Sequence, residues 1–220
     1  GLYTLEGNTY CTGFLVNNTR NDCTPYFITA NHCDVDEANA PSMVVYWSFQ
    51  NSYCRQPGSL GNGQRGDGKK SVFNTGAVFL TGNEPSDISL VLLDDDVPPE
   101  AEAFFAGWNV SPLLPQGPVA CVHHAGTDEK RISIENDSVY IGRWGQGDNR
   151  FTTGDHLIVA NWEVGSTEDG SSGGPLFNEK GQAIGTLHGG LAACDNEGFD
   201  AFGWLRAAWN AGSHRHEGLR

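Results

Sequence analysis

The chain has 220 residues, of which 38% are hydrophobic and 18% charged, with 29 glycines and a formal net charge of −14. That length accommodates one large all-β domain or two small barrels, and the acidic balance disfavours nucleic acid and anionic membrane as partners, since both need a basic face. No apolar run reaches the about 18–20 residues that cross a bilayer, and Gly1, Leu2, Tyr3 and Thr4 do not begin a signal peptide, so an exported protein is expected to have lost its leader already.

Taken in chain order, short β-rich runs dominate. Residues 11–16, 26–29, 43–49, 72–80 and 88–93 read as strands, separated by turn-formers such as Asn17-Asn18, Gly61-Asn62-Gly63 and Gly82-Asn83. The acidic, proline-bearing segment 94–100 reads as a solvated linker, dividing residues 1–100 from 101–220. Its three consecutive aspartates lack the spaced ligands and glycine of a calcium loop. Beyond it, residues 119–123, 156–162, 175–177 and 183–188 continue the β pattern, and only 204–211 has a helical period. The polar tail 213–220 is expected to fray, with His214 and His216 as tail residues rather than metal ligands. The fold class is therefore all-β, and no metal or cofactor is expected.

The six cysteines are an even, scattered set, which favours disulfides in an oxidising compartment over zinc ligation.

Three motifs carry chemistry. The run Gly170-Ser171-Ser172-Gly173-Gly174-Pro175 sets a serine among small residues. Small neighbours let the main chain turn tightly, so that the N–H groups of Gly170 and Ser172 can converge on one oxyanion. In residues 27–33 an aromatic and β-branched strand runs straight into His32-Cys33, which projects the imidazole from a rigid support. Asp87 heads the apolar strand 88–93, as a turn residue or as a buried carboxylate aimed at an imidazole N–H. The order His32, Asp87, Ser172 is that of the chymotrypsin-type triad and not of subtilisins or α/β-hydrolases.

Over residues 11–209 the chain resembles the bacterial lysyl endopeptidases, which are extracellular trypsin-like serine proteases. CTGFLVNNT at 11–19, YFITANHC at 26–33, VVYWSFQNSYCRQP at 44–57 and SDISLVLL at 86–93 carry the likeness. AGW at 106–108, HH at 123–124, EKRIS at 129–133, GSSGGP at 170–175 and LHGG at 187–190 extend it. The resemblance implies two six-stranded antiparallel β-barrels with the site between them, a triad of His32, Asp87 and Ser172, and a specificity acid at Asp200 that pairs with a substrate lysine. It also implies that His188 and Trp144 lie against each other near the catalytic histidine, and that Cys11 and Cys33 are bridged. Cys23, Cys54, Cys121 and Cys194 can pair in three ways, of which Cys23–Cys54 with Cys121–Cys194 is the first expectation. Ser171 stands where trypsin has an aspartate that pairs with its new N-terminus, so the oxyanion loop is expected to be shaped without that ion pair.

The resulting expectation is a secreted, monomeric endopeptidase acting on protein or peptide substrates through an acyl-enzyme, cutting after lysine or, more weakly, arginine. Its rivals are cleavage after acidic residues through His188, a non-catalytic protease-like binding module, and a metal hydrolase built on His123-His124. Adjacent strand residues point to opposite faces, which is poor geometry for one ion.

Overall fold

The structure is a computed structural model that describes residues 1–211; the tail residues His214 and His216 lie outside the described residues. Strands β1 (Leu2–Leu5), β2 (Thr9–Leu15), β3 (Tyr26–Thr29), β4 (Val44–Trp47), β5 (Val72–Thr75), β6 (Ala77–Asn83) and β7 (Ile88–Leu93) form the first sheet, in the order β5-β4-β1-β2-β3-β7-β6. The second sheet draws on β8 (Gly107–Trp108), β9 (Val119–His123), β10 (Arg131–Glu135), β11 (Tyr140–Gly142), β12 (His156–Val159), β13 (Pro175–Phe177), β14 (Gln182–Gly190) and β15 (Asp200–Trp204). Its order is β10-β9-β13-β14-β15-β12-β11, and the short β8 lies parallel to β14. The α-helix α1 (Leu205–Asn210) falls inside the predicted 204–211.

The all-β class and the two antiparallel sheets agree with expectation, while the strand inventory is seven and eight among the described residues rather than six and six. The run 72–80 divides because Gly76 takes a left-handed φ of 80°. That corner sends β5 to pair with β4 and β6 to pair with β7, at opposite ends of the first ladder. Strands β1, β8, β10, β11 and β15 escaped the sequence reading. β8 and β11 have only two and three residues, and β10 begins and ends on charged side chains, Arg131 and Glu135.

Alternation decides which faces are buried: β9 alternates buried and half-buried residues, whereas β15 is buried along its whole length. Tyr3, Phe27 and Trp47 pack edge-to-face in the first core, at centroid distances of 5.8 and 6.0 Å. Val119, Leu157, Leu176 and Phe202 fill the second. A third cluster joins the halves: Phe14, Ile28 and Ile88 of the first sheet meet Ala183 of β14 and Leu205 and Ala208 of α1. Each large aliphatic or aromatic side chain buried there stabilises by about 1.5–3 kcal/mol. This seam fixes one sheet against the other, and the site lies across it.

The Cys11–Cys33 bridge is present. The pairings Cys23–Cys54 and Cys121–Cys194 are not formed, and all four thiols are free. Cys121 faces the core of the second half while Cys194 sits on an exposed loop, so the two are in different environments; Cys23 and Cys54 are exposed.

Candidate active site

The histidine motif is placed by β3, which ends at Thr29 and runs into a 3-10 turn, Asn31–Cys33. The bridge from Cys33 to Cys11 on β2 fixes the backbone beside His32. Pairing of Thr29 with Ser89 lays the end of β3 against the start of β7, which brings residue 87 to the same end of the sheet. A 3-10 turn, Glu84–Ser86, precedes Asp87, and the Asn83 side chain caps it by accepting the Ser86 N–H. Asp87 adopts a left-handed φ of 52° and is buried. Its Oδ1 accepts the His32 backbone N–H and its Oδ2 accepts from His32 Nδ1, both at 2.7 Å. With Nδ1–H committed to the carboxylate, Nε2 is left as the acceptor, and it stands 2.9 Å from Ser172 Oγ.

The serine loop is held from several sides. Gly170 has φ 88°, and a Cβ there would lie 2.9 Å from the His124 carbonyl oxygen and from the Thr127 nitrogen, so only glycine fits. Thr12, reaching across from β2, donates its N–H to the Ser172 carbonyl at 2.8 Å and its hydroxyl to the Gly170 carbonyl at 2.9 Å. Gly126 N–H takes the Asp169 carbonyl at 2.7 Å. The carbonyls are thereby turned away, and among the described residues the N–H groups of Gly170 and Ser172 donate to nothing in the chain.

Beside the dyad stand three further rings. Trp144 and His188 stack at 3.5 Å between centroids, and His188 stacks on His32 at 5.1 Å. Trp144 is 49% exposed and is not a core aromatic. His188 Nδ1 lies 2.9 Å from Nε2 of the buried His156 and 3.6 Å from Asp87 Oδ2. His156 Nδ1 donates to Asp155 Oδ1 at 2.7 Å, so its Nε2 accepts from His188 Nδ1–H. Burial, chiefly, lowers the His188 pKa to about 4 against the pull of Asp87, and the ring is neutral at pH 7. Asp155 and His156 had no motif in the sequence; their place emerges only when β12 pairs with β15, which itself pairs with the β14 strand that carries His188.

Asp200 opens β15 opposite Gly190 of β14 and is 1% exposed, not a solvated loop residue. Trp162 Nε1–H and the Thr167 hydroxyl both donate to its Oδ2 at 2.7 Å. Its Oδ1 is buried with no partner among the described residues. Desolvation raises its pKa, opposed by the two hydrogen bonds. A Cβ on residue 190 would stand 2.6 Å from Oδ1, so glycine there leaves room for the carboxylate. Trp162 and Thr167 are further residues the sequence reading missed. Thr167 lies in the segment leading to Ser172, so one segment touches both Asp200 and the serine loop.

The rings of the His123-His124 pair are each tied to other partners. His123 bonds two serines through its two ring nitrogens, and His124 Nδ1 bonds the Asp128 carbonyl at 2.8 Å. Among the described residues, His32, Asp87 and His188 form the one cluster with metal-ligand spacing. Two of these three are already tied by a hydrogen bond.

The family described as "Lysyl endopeptidase, C-terminal domain" matches residues 2–203. A lysyl endopeptidase of Pseudomonas aeruginosa is 29% identical over 192 residues, covering 84% of this chain and 37% of that protein. The chain thus spans well under half the length of this relative. Among solved structures, the Rv3671c protease of Mycobacterium tuberculosis in an inactive form superposes with a TM-score of 0.54 at 16% identity, over 92% of this chain and 79% of the other. The HtrA-type protease AlgW superposes with a TM-score of 0.60 at 14% identity, over 96% of this chain and 57% of the other. At such identities these structures speak for the fold alone.

Proposed function

The chain belongs to the lysyl endopeptidase C-terminal-domain family, and from that premise we propose that it is a serine endopeptidase cleaving peptide bonds after lysine. His32 Nε2 takes the Ser172 proton as the hydroxyl attacks the scissile carbonyl, and the developing oxyanion is received by the N–H groups of Gly170 and Ser172. The tetrahedral species collapses as the imidazolium passes its proton to the leaving amine, and an acyl-enzyme remains. Water, deprotonated by His32, then releases the acid and restores the serine. Asp87 holds the Nδ1–H tautomer and balances the imidazolium charge. The observation that carries this reading is the continuous line Asp87–His32–Ser172, with contacts of 2.7 and 2.9 Å.

Lysine is favoured by the state of Asp200. Oδ2 is already spent on Trp162 and Thr167, so the carboxylate offers a single oxygen, Oδ1. A guanidinium is best matched by two acceptors in a fork, whereas an ammonium needs only a point of negative charge. Cleavage after acidic residues would need a cationic pocket, and the neutral His188, stacked beside a buried carboxylate, does not supply one. The disulfide next to His32 supports an oxidising, extracellular setting. The test is digestion of a defined protein with every cut bond mapped, alongside a Ser172→Ala variant. Cuts after lysine that vanish in the variant are expected, with a loss on the order of 10⁶ in kcat. Cuts after glutamate, or undiminished cutting by the variant, would refute the proposal.

A further inference from the structure

His123 is buried outside the proposed mechanism, and so is Ser171, the residue before the nucleophile. His123 ends β9 and places Nδ1 2.8 Å from Ser171 Oγ and Nε2 3.0 Å from Ser133 Oγ. The two ends of this line fix the direction of every bond in it. The Ser133 hydroxyl gives its only proton to the Ser166 carbonyl at 3.0 Å, so Ser133 Oγ accepts from His123 Nε2–H. Burial lowers the His123 pKa to about 4, which leaves the ring neutral at pH 7 and Nδ1 bare. Nδ1 then accepts the Ser171 hydroxyl proton, while Ser171 Oγ accepts the Glu168 N–H at 3.1 Å. The path starts at a backbone donor, Glu168, and finishes at a backbone acceptor, Ser166, on the same loop. Ser171 N–H closes a further turn on the Glu168 carbonyl at 3.0 Å.

We propose that His123 is a positioning residue for the hydrolysis: it clips Ser166, Glu168 and Ser171 into one hydrogen-bonded ring, and so holds the N–H groups of Gly170 and Ser172 ready before substrate arrives. The ring is one-way and fully satisfied, with one proton for each contact and no charge buried. Thr12 pins the carbonyls on the other side of the same loop. Between them the loop loses the freedom to turn a carbonyl into the place of a donor, and it does so without an ion pair. A preorganised donor acts on the transition state and hardly on bound substrate, so its misplacement is felt in kcat and not in KM.

The proposal rests on the serine-endopeptidase reading, and the experiment separates the two. Ser171→Ala, His123→Leu and His123→Gln are compared with wild type for kcat and KM on a lysyl peptide amide, affinity for a lysyl peptide aldehyde, and rate of fluorophosphonate labelling, with thermal unfolding as the control for folding. Ser171→Ala and His123→Leu are expected to lose roughly 10- to 100-fold in kcat with KM within about threefold. Aldehyde affinity should fall in parallel, because the hemiacetal oxygen occupies the same hole. His123→Gln, whose amide has one acceptor and one donor end, should recover part of the loss. If His123→Leu does not fold, Ser171→Ala decides, since it keeps the imidazole in place. Variants that melt earlier yet keep wild-type kcat and aldehyde affinity would overturn the positioning role and leave His123 as core. A wild type that takes no fluorophosphonate label would overturn the underlying reading instead, and with it any oxyanion for the ring to serve.

Discussion

At the residue scale, the proposed lysine specificity can be tested at two positions, Asp200 and Gly190. Asp200 keeps one oxygen buried and unmatched, which is costly unless a ligand supplies the missing donor. Asp200→Asn should therefore lower kcat/KM for lysyl substrates roughly 100-fold, since a hydrogen bond to a charged group is worth up to about 3 kcal/mol. Its Ser172 labelling by a fluorophosphonate should stay near wild type; a variant that still prefers lysine over uncharged side chains would remove Asp200 from the pocket. Gly190→Ala is the complementary change. Its Cβ would crowd Asp200 Oδ1 and the Phe199 carbonyl, at 2.6 and 2.1 Å, so β14 and β15 must separate or the carboxylate must turn. Lysyl turnover should fall in this variant, with KM rising; unchanged KM would show that this oxygen does not receive substrate.

At the element scale, the histidine turn depends on a covalent tie. The bridge between Cys11 and Cys33 joins β2 to the turn that presents His32 and closes a loop of sequence separation 22. Replacing both cysteines by alanine should cost about 2–4 kcal/mol of stability, read as a shift in the urea midpoint. The rate should fall as well, because β2 also supplies Thr12 to the serine loop. A double variant as stable and as active as wild type would show that strand pairing alone holds this corner. The legibility of the elements follows their chemistry. Residues 26–29, 88–93, 119–123 and 175–177 match strands residue for residue, because short apolar runs between turn-formers have few other ways to bury themselves. β15 was not legible: Asp200, Gly203 and the indole of Trp204 mask a strand buried on both faces.

At the scale of the whole molecule, the buried histidines make stability depend on pH. His123 and His124 are almost wholly buried, and burial pushes their pKa values down to about 4 and about 3 from an ordinary 6.5. A histidine with a lowered folded pKa stays neutral in the native chain while the unfolded chain takes up its proton. Stability from these two groups is therefore complete above pH 6.5 and falls as the pH drops toward 4 and 3, by about 1.4 kcal/mol per unit for each ring. Urea midpoints should decline from pH 7 to pH 4.5, and the ring resonances of both residues should keep their neutral shifts at pH 5. Protonated shifts at pH 5 would show that these rings are not held neutral.

The order of His32, Asp87 and Ser172 and the glycines around the serine could be read from the sequence, because covalent order and local turn chemistry are properties of short segments, whereas the acid at 200 was singled out only through the family resemblance. The tertiary structure alone decided which oxygen of Asp200 is spent and which histidines lie behind His188. It also decided that Cys23, Cys54, Cys121 and Cys194 stay unpaired. The reason is physical: hydrogen-bond saturation, burial and thiol proximity depend on which strands lie side by side. In this chain those neighbours are brought together from residues as distant as Thr12 and Gly170, a separation of 158 positions.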